Sequence, residues 1–122
     1  MNKSRIPPEK RRILLVDDDV DLLSATANLL RLMGAWDVWE AESASQARAM
    51  WNENREHIDV LVTDIVMPEC FGPDLALRFK SEKATLKVIF ISGRLCERDS
   101  EEFAFLSKPF TCAQLEETFR RV

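Results

Sequence analysis

Cysteine and histidine are scarce in this sequence of 122 residues. The three cysteines, Cys70, Cys96 and Cys112, are an odd number and show no Cys-x-x-Cys spacing. This usage argues against a disulfide framework and against a zinc site, and it favours reduced thiols. The single histidine, His57, precedes a predicted strand and is expected at the surface.

Long apolar runs and an excess of basic charge are also missing. No run approaches the roughly 20 apolar residues that a membrane-spanning helix needs, and the N-terminal segment MNKSRIPPEKRR has no signal-peptide core. A cytoplasmic protein without membrane contact is therefore expected. The formal net charge is −4, so composition gives no sign of direct nucleic-acid binding. We interpret 1–11 as a basic leader or linker and 12–122 as one domain.

Short apolar runs predict a buried parallel sheet. Continuous runs predict strands over 13–16, 59–63, 87–92 and 103–107, and an alternating pattern over 36–41 predicts an edge strand. Helices are predicted in the gaps: 20–33, closed by Gly34; 44–56, opened by a Ser43–Gln46 capping box; one from Pro73; and one from a Thr111–Gln114 capping box. Alternating strands and helices indicate an open, doubly wound α/β fold.

Polar side chains follow the carboxyl ends of four predicted strands. In an open parallel sheet these ends meet at one edge, and binding sites form where the strand order reverses. The set combines carboxylates, one hydroxyl and one ammonium group, which makes it more specific than any member alone. Its members are Asp17, Asp18 and Asp19; Asp64; Ser92 and Gly93; and Lys108 with Pro109.

This combination indicates phosphoryl transfer. Clustered carboxylates repel one another unless a cation binds between them, and Mg²⁺ prefers oxygen ligands. A free carboxylate can attack phosphorus and form an acyl phosphate. Asp64 is the natural nucleophile because it stands alone at the end of a central strand. The metal, Lys108 and Ser92 would stabilise charge on the transferring oxygens.

Four motifs carry a resemblance to a known family: LLVDDD, LVTDIVMPECFG, VIFISG and FLSKPF, in that order. With them, the chain resembles the response-regulator receiver domain of two-component signalling, in the CheY-like superfamily, over about residues 13–121. The resemblance implies a flavodoxin-like fold, with a five-stranded parallel sheet of order 2-1-3-4-5 and helices on both faces. It implies that Asp64 is the phosphoacceptor, and that Mg²⁺ is held by Asp17, Asp18, Asp64 and the backbone carbonyl of Val66.

The resemblance also assigns the remaining residues of the site. Ser92 is expected to hydrogen-bond the phosphoryl group, and Lys108 to pair with it ahead of a cis peptide to Pro109. Phe105 occupies the position of the family's switch aromatic, without a hydroxyl. The implied donor is a histidine kinase or a histidine phosphotransfer protein. The domain is then a phosphorylation-dependent switch rather than an enzyme, and it is expected to be a monomer or a weak dimer.

Two features depart from the usual pattern of the family. The segment between Ser92 and Lys108 is short, which predicts a fourth helix cut to one or two turns, or a loop. Val66 offers no group to orient water toward an acyl phosphate, and we therefore hypothesise a long-lived phosphoryl state.

Three alternatives compete with the receiver assignment. A calcium-binding EF-hand over Asp17, Asp19 and Asp21 fails, because Leu22 takes the glycine position and Asn28 the final glutamate. A phosphatase of the haloacid-dehalogenase type also begins with a strand and an Asp-x-Asp motif, but the chain is short for that fold. A receiver fold that acts as an unphosphorylated interaction module remains open.

The context of the domain also remains open. Its C-terminal half resembles receivers fused to the C-terminus of hybrid histidine kinases, in which case the leader is the end of an interdomain linker. A free-standing regulator is the other possibility.

Overall fold

The computed structural model describes residues 11–35, 37–93 and 103–122. The strands are β1 (Arg12–Val16), β2 (Asp37–Ala41), β3 (Val60–Asp64), β4 (Val66–Met67), β5 (Cys70–Phe71), β6 (Lys87–Ser92) and β7 (Phe103–Ser107). The helices are α1 (Val20–Leu32), α2 (Ala44–Asn54), α3 (Gly72–Glu82) and α4 (Cys112–Arg120), and a 3₁₀ turn at Arg55–His57 follows α2.

Five strands form one parallel sheet in the order β2-β1-β3-β6-β7. Counted along the main sheet alone, this is the predicted order 2-1-3-4-5. The order reverses between β1 and β3, so a crevice opens beyond the carboxyl ends of these two strands. The remaining strands, β4 and β5, form a two-residue antiparallel ladder just after β3.

The sheet is buried on both faces, as its continuous apolar strands predict. Alternate residues of β1 point to opposite cores. Leu14 and Val16 belong to the core that contains residues of α2 and α3, whereas Ile13 and Leu15 belong to the core that contains residues of α1 and α4. The helices therefore cover both faces and leave the two ends of the strands accessible.

The helix ends follow the predicted capping chemistry, with one difference. At α4, Thr111 and Gln114 form the predicted reciprocal capping box. At α2, the Ser43 hydroxyl accepts from Gln46 N, but the Gln46 side chain accepts from Glu42 N rather than from Ser43 N. The Gln46 side chain thus reaches one residue beyond the cap. Gly34 closes α1 with a φ of 102°, which suits glycine.

The elements of the described residues agree with the predicted ones. All five main strands and four helices occur within two residues of the predicted bounds, whereas the β4–β5 ladder was not predicted. The shortened fourth helix falls on residues 94–102, outside the described residues, as does nearly all of the leader at 1–10. Among the described helices, none has the length and apolar character needed to span a membrane.

Candidate functional site

Four strand ends bring the predicted polar residues to one edge of the sheet. Asp17 follows β1, Asp64 ends β3, Ser92 ends β6, and Lys108 follows β7. β3 and β6 pair Asp64 with Ile91, while Lys108 N donates to the Ser92 carbonyl at 2.7 Å. The position of each side chain is thus fixed by the backbone of the sheet.

Lys108 lies between two buried carboxylates. Its Nζ is 2.9 Å from Asp64 Oδ1 and 3.5 Å from Asp17 Oδ2. Asp17 and Asp64 are only 3% and 6% exposed, so little water screens their charges. The ammonium group therefore neutralises part of a charge cluster that burial alone would disfavour.

The surroundings of Asp64 disfavour the charged form of its carboxylate. Burial raises the pKa of Asp64 to about 7, and Asp17 adds to the rise while Lys108 opposes it. Burial acts to lower the pKa of Lys108, but the hydrogen bond to Asp64 and the charges of both carboxylates outweigh it and raise that pKa. A cation placed among the carboxylates would reverse the shift at Asp64.

Three carboxylates meet the requirements of a divalent cation. One oxygen each from Asp17, Asp18 and Asp64 lies within 4.8 Å of the other two. Oxygens on opposite sides of an octahedral Mg²⁺ are about 4 Å apart, so only a small closing movement would be needed. Asp17 and Asp64 are buried and Asp18 is exposed, which leaves the cluster open on one side. The donor set is all oxygen and fits a hard cation.

A cavity of about 370 Å³ lies next to this cluster, lined by Asp64, Val66, Ile91, Ser92, Gly93 and Lys108. It contains a carboxylate, an ammonium group and a hydroxyl around one space. Val66 is 73% exposed at its rim and presents only an apolar side chain. Such an arrangement can accept a group at the carboxylate and hold its oxygens by the ammonium and the hydroxyl.

Comparison with known proteins assigns the fold and the site to one family. Residues 13–120 match the response regulator receiver domain model. The chain belongs to the response regulator receiver domain family. The haloacid-dehalogenase alternative is therefore set aside. The domain is a phosphorylation switch of two-component signalling rather than a true enzyme, and Asp17, Asp18 and Asp64 form its acidic pocket.

The receiver domain is similar to parts of larger proteins and to small regulators. It is 32% identical to the sensor kinase CckA of Brucella abortus over 90% of this chain, but it spans only 12% of that protein. It is 35% identical to the response regulator receiver protein CpdR of Brucella abortus over 82% of this chain and 86% of that protein. A crystal structure of the receiver domain from the hybrid histidine kinase CckA matches with a TM-score of 0.79 and 34% identity, over 90% of this chain and 96% of that one.

The predicted switch aromatic of the receiver domain packs inward on the sheet. The ring centroids of Phe105 and Phe90 are 5.3 Å apart, and those of Phe103 and Phe90 are 5.6 Å apart. Phe105 is half-buried on β7, three residues before Lys108. The peptide bond from Lys108 to Pro109 is cis, as the resemblance implied.

Hydrogen bonds to neighbouring residues support the receiver site. Asp17 Oδ1 accepts from Asp19 N at 2.9 Å, and Asp19 in turn caps α1 by accepting from Leu22 N. Thr63 Oγ1 donates to the Asp64 carbonyl at 3.1 Å. The acidic run after β1 signalled these contacts only in part, because a cap and a metal ligand look alike in sequence.

Proposed function

We propose that Asp64 accepts a phosphoryl group from the phosphohistidine of a histidine kinase or a histidine phosphotransfer protein. The observation that carries the proposal is the position of Asp64, which lies 2.9 Å from the Lys108 ammonium and within 4.8 Å of two further carboxylates. Only Asp64 both belongs to the acidic cluster and lines the cavity.

The reaction is a transfer between two protein groups. An oxygen of the Asp64 carboxylate forms a bond to phosphorus while the phosphorus–nitrogen bond of the donor imidazole breaks, and the electron pair remains on that nitrogen. The product is an acyl phosphate, which adds about −1.5 to −2 charges to the end of β3. Lys108 and Ser92, both on the cavity wall, are placed to pair with the new oxygens.

The acidic pocket is proposed to hold Mg²⁺ through Asp17, Asp18, Asp64 and the backbone carbonyl of Val66. When bound, the metal supplies positive charge that offsets the charge of the transferring oxygens. Lys108 then exchanges its contacts with Asp64 and Asp17 for contacts with the phosphoryl group. The fit of the oxygen donor set supports this assignment.

The switch is proposed to run through β6 and β7. Ser92 and Lys108 sit at the ends of these strands, and Phe105 packs on Phe90 between them. A shift of either polar residue toward the phosphoryl group biases a two-state equilibrium of this edge of the sheet. Because Phe105 carries no hydroxyl, the two states differ at this residue in the packing of its ring and not in a side-chain hydrogen bond.

An apolar groove beside Lys108 supports a protein donor. It is about 470 Å³ and is lined by Leu22, Ala25, Thr26, Leu29, Lys108, Pro109 and Phe110. An amphipathic helix of the donor fits such a groove and would bring its histidine to the cavity beside Asp64.

We further propose a cytoplasmic site of action, which the free thiols of Cys70 and Cys112 support.

The test is phosphorylation by a small donor. The protein is incubated with Mg²⁺ and acetyl phosphate, and its intact mass is measured. We expect one added phosphoryl group in the parent and in Asp21→Asn, whose carboxylate is exposed on α1, and none in Asp64→Ala. The absence of an adduct in the parent, together with the absence of Mg²⁺ binding, would instead indicate an unphosphorylated interaction module.

A further inference from the structure

Gly72 packs against the backbone of Asp64 more closely than any other residue type allows. A Cβ atom at Gly72 would lie 2.0 Å from the Asp64 carbonyl oxygen, 3.0 Å from its carbonyl carbon and 3.1 Å from Ile65 Cα. All three neighbours are backbone atoms, so no side-chain rotation relieves the contact. To restore even a 3.0 Å separation, the start of α3 or the end of β3 must move by about 1 Å.

The glycine is required here for space rather than for an unusual backbone angle. Gly34 has a positive φ, whereas Gly72 begins α3 and is followed by Pro73 in the first turn. Its burial and its contact with Asp64 set it apart from Gly93, where a Cβ would meet nothing within 4 Å. The sequence around Gly72 thus places the smallest residue where two backbones touch.

The contact is held in place from both sides. Gly72 N donates to the Ile65 carbonyl at 2.6 Å, and the ladder pairs Val66 with Phe71, so the loop closes directly on the end of β3. β3 itself is paired with β1 and β6, and Ile65 N donates to Ile91 O at 3.0 Å. A displacement of Gly72 would therefore move the short segment that carries Asp64 and Val66.

We propose that Gly72 is a positioning residue for phosphoryl transfer. It sets the distance between the Asp64 backbone and the start of α3. This distance in turn determines the positions of the Asp64 carboxylate and the Val66 carbonyl. This inference rests on the proposed function, in which both groups bind the metal and one accepts the phosphoryl group. A misplacement of about 1 Å can reduce the rate of such a reaction on the order of 100-fold.

The experiment compares Gly72→Ala with Gly34→Ala. The second variant is a matched control, because a positive φ makes alanine unfavourable there while Gly34 closes the end of α1 that points away from the site. The rate of phosphorylation by acetyl phosphate at saturating Mg²⁺ and the Mg²⁺ dissociation constant are measured where both variants are folded. We expect Gly72→Ala to lose at least tenfold in rate and to bind Mg²⁺ more weakly, and Gly34→Ala to match the parent in both.

A second variant keeps the inference testable if Gly72→Ala does not fold. One glycine inserted between Pro68 and Glu69 lengthens the turn of the ladder without adding an atom at Gly72. We expect this slack to lower the phosphorylation rate several-fold in a folded protein. Parent-like rate and Mg²⁺ affinity in the folded variants would overturn the role of Gly72 alone. A parent that forms no adduct would overturn the proposed function and this inference with it.

Discussion

At the scale of single residues, the surroundings of Asp64 act in opposite directions on its pKa. Burial and Asp17 raise its pKa from 3.8 to about 7, although Lys108 lies within hydrogen-bond distance. Between about pH 4 and pH 7, the folded state therefore keeps a proton on Asp64 that the unfolded chain has lost. Stability contributed by this group is present at low pH and is lost as pH rises through 7.

This conflict predicts the pH dependence of an Asp64→Asn variant. Asparagine does not titrate, so we expect the unfolding free energy of the variant, relative to the parent, to rise by about 2 kcal/mol between pH 5 and pH 8 in chelator-treated buffer. Urea unfolding at several pH values measures it. Leu77→Asn, which adds an asparagine at an exposed position on α3 without removing a carboxylate, should show no such rise. A difference that falls with pH would contradict the assignment of a raised pKa.

Val66 leads to a prediction about the phosphoryl lifetime. Its side chain is 73% exposed at the rim of the cavity that contains Asp64 and cannot orient a water molecule. We expect Val66→Asn to shorten the half-life of the acyl phosphate by on the order of tenfold, as measured by intact mass after removal of the donor. Leu77→Asn, at an exposed position on α3, should decay like the parent. Equal or faster decay in the parent than in Val66→Asn would refute the long-lived state.

At the scale of elements, one lysine holds the connection between α2 and β3. Lys83 Nζ donates to the carbonyls of Ile58 at 2.6 Å and Arg55 at 3.0 Å, and it also reaches Glu56. These carbonyls follow the end of α2, where helical hydrogen bonding stops, and the ammonium group donates to several of them at once. The Arg55 carbonyl also accepts from Ile58 N at 3.4 Å.

We therefore predict that Lys83→Met destabilises the fold without affecting the site. The expected loss of unfolding free energy is about 1–3 kcal/mol, because the variant leaves partly buried carbonyls without their donor. Chemical denaturation measures the loss, and acetyl phosphate labelling should remain at the parental rate. Lys87→Met, at an exposed position at the start of β6, is the control and should change stability little. Equal stability of the two variants would contradict this role of Lys83.

The same elements show which features a sequence pattern reveals. The apolar runs of β1, β3 and β6 and the capping boxes at α2 and α4 are local signals, and they predicted the elements correctly. The ladder of Val66–Met67 with Cys70–Phe71 was missed because two-residue strands leave no periodicity to detect. The three carbonyl bonds of Lys83 were missed for another reason, since they join residues 25 to 28 positions apart.

At the scale of the whole molecule, the site follows from topology more than from any one motif. Asp17, Asp64 and Lys108 meet because parallel strands end at one edge and the order reverses between β1 and β3. That logic predicted which residues converge. It could not predict the contact of Gly72 with the Asp64 carbonyl, because a sequence shows a glycine but not the backbone opposite it.

Because the acidic cluster belongs to the folded state alone, Mg²⁺ should stabilise the entire domain. At ten times its dissociation constant, a ligand that binds only the folded state adds about 1.4 kcal/mol, which corresponds to a rise of a few degrees in Tm. We expect this rise in the parent and in Asp21→Asn, and we expect it to be lost in Asp17→Asn, which keeps the shape of the buried side chain but removes its charge. Thermal unfolding with and without Mg²⁺ measures it. An equal rise in Asp17→Asn and the parent would place the cation elsewhere on the molecule, and the three carboxylates at the sheet edge would then need another partner.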